Sequence, residues 1–176
     1  MSESPLQTLG QHLQQLRLSR GISLSQLAAD AGIAKSNLSK IEQGNSNPTL
    51  DTLWRLAVQL NIPFGNLVAP IDMAMGDETI QVRLLSQGRG TPCTDAYLMH
   101  CSAQSEHRSD AHLPGTRETL TLISGCLEAG TESNSQTLLP GDSFTFAASE
   151  AHFYRTGEQP ATCLLTVIYH ESETPS

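Results

Sequence analysis

The sequence of 176 residues has no apolar run near the roughly 18 residues that a membrane-spanning helix needs. The hydrophobic fraction of 38% and the charged fraction of 16% are typical of globular chains. The first five residues include an acid where a signal peptide carries basic residues, and no apolar segment follows them. We therefore expect a cytoplasmic globular protein without a transmembrane part.

Cysteine is scarce and widely spaced. Cys93, Cys101, Cys126 and Cys163 include no Cys-x-x-Cys pair, which in a reducing compartment predicts buried thiols instead of disulfides or a zinc ribbon. The sequence also lacks a glycine-rich nucleotide-binding loop and a nucleophile elbow. Phosphoryl transfer and esterase chemistry therefore find no support.

The net charge of −8 is unevenly distributed along the chain. Residues 1–70 carry five basic and four acidic side chains, a balance of +1, whereas the remainder carries five arginines and fourteen acids, a balance of −9. Histidine is uneven too, since His12 precedes this division and five histidines follow it. This contrast predicts two domains with different functions. We place them at residues 1–68 and 79–170, with a linker at 69–78 and a tail at 171–176.

Apolar residues of the first part recur at helical spacing, as in the stripe of Leu6, Leu9, Leu13 and Leu16. The predicted helices are a first that ends at Gly21, a second over 24–31, a third over 35–43, a fourth capped by Thr49, and a short fifth over 63–67. The stretch Ser23-Leu-Ser-Gln26 predicts a capping box at the start of the second helix.

Two short helices joined by a glycine-containing turn are typical of a helix-turn-helix, whose second helix lies in the major groove of DNA. Leu38 and Ile41 are expected to face the core. The outward side chains are then Lys35, Ser36, Ser39 and Lys40, which are short or basic enough to reach base edges. The alternative is an ordinary solvated helix face, because a charge of +1 is far from a strongly basic footprint.

Four segments of this first part resemble the DNA-binding domain of the lambdoid repressors and the Xre family. They are Gly21-Ile-Ser-Leu-Ser-Gln-Leu-Ala28, Gly32-Ile-Ala-Lys-Ser-Asn-Leu-Ser39, Ile41-Glu-Gln-Gly44 and Pro48-Thr-Leu-Asp-Thr-Leu53. The resemblance implies a five-helix, lambda-repressor-like domain in a homodimer that binds an inverted-repeat operator in double-stranded DNA. It assigns base contacts to Lys35, Ser36, Ser39 and Lys40, and phosphate contacts to Gln26 and Asn45. Ala34 stands where the family usually has a serine or threonine helix cap.

Beyond the linker the pattern alternates with period two, which predicts an antiparallel β-sandwich or barrel. The predicted strands are 78–85, 93–101, 119–128, 136–139, 143–146, 151–155 and 161–169. Glu118, Leu120 and Leu122 share parity, so the carboxylate is expected on the core side. A buried carboxylate needs a cation or a metal, and His112 and His152 could complete a site with two histidines and one carboxylate.

The same residues resemble the two cupin motifs, with His112, Glu118, Gly125, Pro140 and His152 at motif positions. The resemblance implies a jelly-roll β-barrel that binds a divalent metal, zinc in the first place and iron or manganese as alternatives. Pro114 stands where the second motif histidine belongs. His107 could replace that ligand, or it could be a solvated loop histidine.

Together the two parts predict a transcriptional regulator that is not an enzyme and whose barrel senses a small-molecule effector. The family resemblance implies an amino acid or a sulfur metabolite as the effector. The amine and carboxylate of an amino acid could chelate the metal, with Leu120, Leu122 and Tyr154 around its side chain. Two alternatives stay open. One is a metal-dependent cupin enzyme of the dioxygenase or isomerase type carrying a DNA-binding domain, and the other is a metal-free dimerisation module.

Overall fold

The computed structural model describes residues 4–170 and divides into two compact units between Met73 and Ala74. The described part of the first unit is helical. Its helices are α1 Pro5–Ser19, α2 Leu24–Asp30, α3 Lys35–Glu42, α4 Leu50–Gln59 and α5 Phe64–Val68. No helix among the described residues is long and apolar enough to cross a membrane.

The helix starts differ in part from those expected. The capping box lies at α1, where the Ser4 hydroxyl accepts from the Gln7 amide and the Gln7 side chain accepts from the Ser4 amide. At α2 only half of the predicted box forms. The Ser23 hydroxyl accepts from the Gln26 amide, but the Gln26 side chain donates to Asp30 at 2.7 Å. The Gln26 side chain therefore binds Asp30, one turn further along α2, instead of the Ser23 backbone amide.

Helix α1 crosses very close to the end of α3. A Cβ added at Gly10 would lie 2.4 Å from the Ile41 carbonyl oxygen, so a larger residue would force the two helices apart. Beside this contact, Arg17 and Glu42 form a buried two-pronged ion pair with distances of 2.7 and 2.8 Å. Arg17 Nη1 also donates to the Ile22 carbonyl, which ties the pair to the turn before α2. The orientation of α3 is thus fixed by backbone contact and by charge.

The second unit is built from two antiparallel sheets. The larger sheet has the order β1-β2-β3-β10-β5-β8 and the smaller one β4-β9-β6-β7. The strands are β1 Met75–Gly76, β2 Ile80–Gln87, β3 Cys93–Cys101, β4 Glu106–Ser109, β5 Arg117–Ser124, β6 Leu127–Thr131, β7 Asn134–Leu138, β8 Ser143–Ala147, β9 His152–Thr156 and β10 Ala161–Tyr169. This two-sheet architecture is the jelly-roll class expected from the cupin resemblance.

Three sequence predictions are corrected here. The single strand predicted over 119–128 is two strands, because Gly125, at φ +86°, turns the chain from one sheet to the other. The segment around His107, interpreted as a possible loop, is strand β4. Met75 and Gly76, inside the predicted linker, pair with Val82 and Gln81.

Inner-facing side chains of both sheets form the core of the second unit, among them Met99, Leu120, Phe146 and Leu165. Cys101 and Cys163 are buried there, and burial raises the pKa of the Cys101 thiol to about 12. The prediction of buried thiols is wrong for Cys126, which is exposed just after Gly125, and Cys93 is only partly buried. All four cysteines are free thiols.

Candidate functional site

The outward face of α3 is the candidate nucleic-acid interface. Leu38 and Ile41 are buried, as are Glu42 and its partner Arg17. Lys35, Ser36 and Lys40 are exposed, and Ser39 is partly exposed. Helical spacing therefore leaves the residues expected to read bases on the side opposite the core. Gln26 and Asn45 are exposed as well.

Gln43 also belongs to this surface, although its position in the sequence does not single it out. Its side chain donates to Ser39 and accepts from Asn45, both at 3.2 Å. Gln43 follows Ser36 by seven residues, two helical turns, so the two lie on the same face. This i to i+7 spacing from Ser36 is the sequence signal that places Gln43 on the outward face of α3. The glycine that follows, Gly44, marks Gln43 in the sequence only as the end of the helix.

The start of α3 has no side-chain cap. Ala34 occupies the cap position with an extended backbone, and no side-chain hydrogen bond reaches the first turn. This agrees with the departure from the family pattern noted at Ala34. The Asn37 amide, which a side-chain cap could satisfy, donates instead to the Ala34 carbonyl at 2.9 Å.

Three buried residues of the second unit form the candidate metal centre. Glu118 lies on β5 and points inward, and His152 opens β9 in the opposite sheet. His112 lies in the loop before β5, where its backbone amide donates to the Ala148 carbonyl at 2.8 Å. The ligand-type atoms of these three side chains all lie within 4.8 Å of one another.

One oxygen of Glu118 faces both imidazoles. His112 Nε2 lies 3.0 Å from Glu118 Oε1, and His152 Nε2 lies 3.8 Å from the same atom. The other oxygen, Oε2, accepts a short hydrogen bond from the Tyr154 hydroxyl. The two carboxylate oxygens thus have separate partners.

The orientation of His152 is fixed from outside the cluster. Its Nδ1 lies 2.8 Å from the Glu150 carbonyl oxygen, and because a carbonyl can only accept, Nδ1 carries the proton. In the neutral ring this leaves Nε2 with a lone pair. Nε2 is buried and has no hydrogen-bond partner among the described residues. A carbonyl behind the ring is the usual support of a metal-binding histidine.

The electrostatics favour an ionised carboxylate at this centre. Complete burial raises the pKa of the Glu118 carboxyl, but the positive charge that His152 carries when its ring is protonated, the hydrogen bond from His112 and that from Tyr154 bring this pKa below its ordinary value. Burial and the neighbouring Glu118 raise the pKa of Tyr154 well above its ordinary value. The phenol therefore remains a donor.

Pro114 has a structural function in the loop that carries His112. The Thr116 amide donates to the Leu113 carbonyl at 3.1 Å, and Gly115 between them has φ +77°. Proline followed by a residue of positive φ is the signature of a type II turn. Pro114 is exposed at its corner, so the position of the second motif histidine is used to shape the loop.

The remaining predicted site residues are placed as follows. His107 faces inward from β4 beside Tyr154, at 6.4 Å between ring centroids, and it is not part of the three-residue group. Leu120 and Leu122 are fully buried on the same face as Glu118. A surface cavity of about 210 Å³ is lined by none of the predicted effector residues; its walls are Arg108, Ser109, Asp110, Glu132, Ala151, His152 and Phe153.

Comparison with known proteins relates the chain to transcriptional regulators of bacteria. The family model for the helix-turn-helix, HTH_3, matches residues 13–67. The chain is 30% identical over 164 residues to the HTH-type transcriptional regulator SutR of Escherichia coli, covering 90% of this chain and 92% of that one. It is 39% identical over 61 residues to the HTH-type transcriptional regulator SinR of Bacillus subtilis, covering 34% and 55% of the two chains.

A solved structure has the same fold. The crystal structure of an HTH_3 family transcriptional regulator from Vibrio cholerae covers 96% of this chain and is itself covered completely, with 22% sequence identity and a TM-score of 0.84. Because the relationship to SutR extends over nearly the whole of both chains, it includes the second unit as well as the helices. The protein is therefore a member of the HTH-type transcriptional regulators, a DNA-binding protein with an Xre-type helix-turn-helix and a second domain of two antiparallel sheets.

Proposed function

We propose that this regulator binds an inverted-repeat operator as a homodimer, through the outward face of α3, and that its second unit senses a small metal-chelating metabolite. The observation that carries the proposal is the coexistence of an exposed polar reading face with a buried cluster of two histidines and one carboxylate. The first part accounts for operator binding and the second for ligand sensing, and both occur in the cytoplasm.

The DNA part rests on which side chains of α3 are available. Arg17 is neutralised by Glu42, so it adds nothing to the basic footprint. Lys35 and Lys40 are exposed cations, and the hydrogen-bonded side chains of Ser39, Gln43 and Asn45 supply further donors and acceptors. Because this surface carries so little positive charge, its affinity for DNA must depend on hydrogen bonds to bases as well as on phosphate contacts.

The DNA test is operator selection followed by substitution. Half-sites should be separated by about one helical turn, ~34 Å. Lys40→Ala should weaken specific binding by roughly 5–150-fold, as expected for loss of ~1–3 kcal/mol from a base contact. Arg89→Ala, which removes an exposed cation of the second unit, is the matched control. Equal losses of operator affinity in both variants contradict the assignment of a base contact to Lys40. A wild-type protein that prefers no genomic fragment over random DNA contradicts operator binding.

The metal part rests on the donor set. His112 Nε2, Glu118 Oε1 and His152 Nε2 converge, and tetrahedral zinc sites place neighbouring ligand atoms about 3.3 Å apart. The observed separations of 3.0 and 3.8 Å are close to this value, and the full spread of 4.8 Å among the three ligand atoms would have to shrink when an ion binds. The residues present fit a divalent ion, which when bound would supply open coordination positions for a ligand. Zinc suits the set best, and ferrous iron or manganese are the alternatives.

Metal content is measured on protein prepared without chelator or affinity-tag metal. We expect near-stoichiometric zinc or iron that is lost in His152→Ala and retained in His100→Ala. His100 is an exposed histidine of β3, bonded to Thr162, and serves as the matched control. Wild-type content below about a tenth of an equivalent, the level of adventitious binding, contradicts the metal assignment.

For the effector we propose an amino acid or a related sulfur metabolite. Its amine and carboxylate can chelate an ion held by three protein ligands, and Leu120, Leu122 and Tyr154 lie on the inner face close to Glu118. Calorimetric titration of methionine, cysteine and other amino acids into metal-loaded protein tests this. Binding that persists unchanged after chelator treatment contradicts direct chelation.

A further inference from the structure

The Glu118 carboxylate is held asymmetrically, and this asymmetry has a consequence for ligand binding. Oε1 faces both His112 and His152, at 3.0 and 3.8 Å, whereas Oε2 accepts from the Tyr154 hydroxyl. Glu118 is completely buried and Tyr154 is 4% exposed, so neither group has solvent as an alternative partner. Tyr154 lies two residues after His152 on β9 and faces inward with it.

The framework around Tyr154 leaves little freedom for the phenol. Its strand neighbours are His107 on β4 and Ala129 on β6, and the ring contacts those of Phe146 and His152 at centroid distances of 6.5 and 5.6 Å. A carboxylate with both oxygens free can rotate and bind an ion through one or both. Here the phenol occupies one oxygen and stops that rotation.

We propose that Tyr154 is a positioning residue that reserves Oε2 of Glu118 and presents only Oε1 to the ion, which keeps coordination positions open for a chelating effector. The inference rests on the metal site proposed above. It implies that the site, which has Pro114 in place of a fourth ligand, does not compensate by binding the ion through both oxygens of Glu118. Removing the phenol hydroxyl releases Oε2 to bind the ion as a further ligand.

The test uses cobalt(II) as the probe, because its visible absorption weakens when the coordination number rises. In Tyr154→Phe we expect a weaker cobalt absorption than in wild type and a change in cobalt affinity of about tenfold or more, the usual effect of removing a group that orients a ligand. Tyr97→Phe is the matched control, since Tyr97 is another buried phenol that donates to a carboxylate, Asp95, at 3.1 Å. Its cobalt spectrum and affinity should equal those of wild type.

The outcomes separate this inference from the metal assignment. Failure of the wild type to bind cobalt or zinc stoichiometrically overturns both. Stoichiometric binding with identical spectra and affinities in wild type and Tyr154→Phe overturns only the positioning function. Infrared difference spectra of zinc-loaded minus metal-free wild type need no variant. A wide separation of the two carboxylate stretches, as in one-oxygen binding, supports the inference, and a narrow one overturns it.

Discussion

At the scale of single residues, a few buried polar side chains account for most of the chemistry of the second unit. Glu118 is the centre, since it accepts from His112 and Tyr154 and lies 3.8 Å from His152. Its ionised form is favoured in the folded state despite complete burial. The stability of the second unit should therefore depend on pH through this group.

Glu118→Gln tests this dependence in metal-free protein. Because the folded-state pKa of Glu118 is lowered, its stabilisation is complete above the ordinary value of 4.5 and is lost as the pH falls through the lower folded-state pKa. We expect the variant to be about 1–3 kcal/mol less stable than wild type at pH 7, and the difference to shrink below pH 4.5. All three tyrosines belong to the second unit, so near-ultraviolet tyrosine dichroism during urea unfolding reports on it. A difference independent of pH contradicts the assignment.

At the scale of elements, the position of the reading helix depends on its contact with α1. Gly10 is unfavourable within a helix by ~0.5–1 kcal/mol relative to alanine, yet the Ile41 carbonyl leaves no room for a Cβ there. The buried ion pair between Arg17 of α1 and Glu42 of α3 joins the same two helices. Gly10 lowers the helix propensity of α1, and the ion pair requires two charges to be buried. Both features fix the crossing of α1 and α3.

Gly10→Ala should destabilise the first unit, because the clash outweighs the gain in helix propensity. We expect a net loss of about 1–3 kcal/mol, typical of overpacking. Trp54, the one tryptophan of the chain, is buried against Phe64 in the first unit and reports its unfolding by fluorescence. Gln14→Ala, at an exposed position of α1, should stay within about 0.5 kcal/mol of wild type. Equal or greater stability of Gly10→Ala would show that the helices can separate without cost.

Arg17→Met should be more harmful than replacing both partners of the pair. Loss of Arg17 alone leaves a buried, uncompensated carboxylate and is expected to cost about 3–5 kcal/mol. Arg17→Met with Glu42→Met removes both charges and should recover much of that loss, as measured by the fluorescence of Trp54 during urea unfolding. A double variant no more stable than the single one indicates that the charges are not coupled.

At the scale of the whole molecule, a near-neutral helical unit is joined to an acidic β-unit in one chain. If the second unit controls DNA binding, operator and effector must influence each other equally, because linkage is reciprocal. Couplings of this kind are typically ~1–3 kcal/mol, which corresponds to roughly 5–150-fold in affinity. Titrating the effector into free protein and into the protein–operator complex measures this factor. Equal affinities in both states contradict allosteric control.

Local patterns in the sequence determined the helices, most of the strands and the outward face of α3. Capping residues, glycine stops and the two hydrophobic periods act between near neighbours, so they can be interpreted without a fold. The parity of Glu118 with Leu120 and Leu122 likewise placed the carboxylate on the inner face. The motif spacing of His112, Glu118 and His152 indicated a possible ligand set.

Only the tertiary structure decided which groups meet across the chain. Gly125 continued an alternating pattern, yet its positive φ sends β6 into the other sheet. Nothing in the sequence around Gly10 requires glycine, and the requirement comes from the close contact with the α3 backbone. The separate partners of the two Glu118 oxygens depend on strand register and on a loop shaped by Pro114, which are set by packing between distant segments. Sequence periodicity fixes the face on which a side chain lies, and packing between the sheets fixes the atom that it contacts.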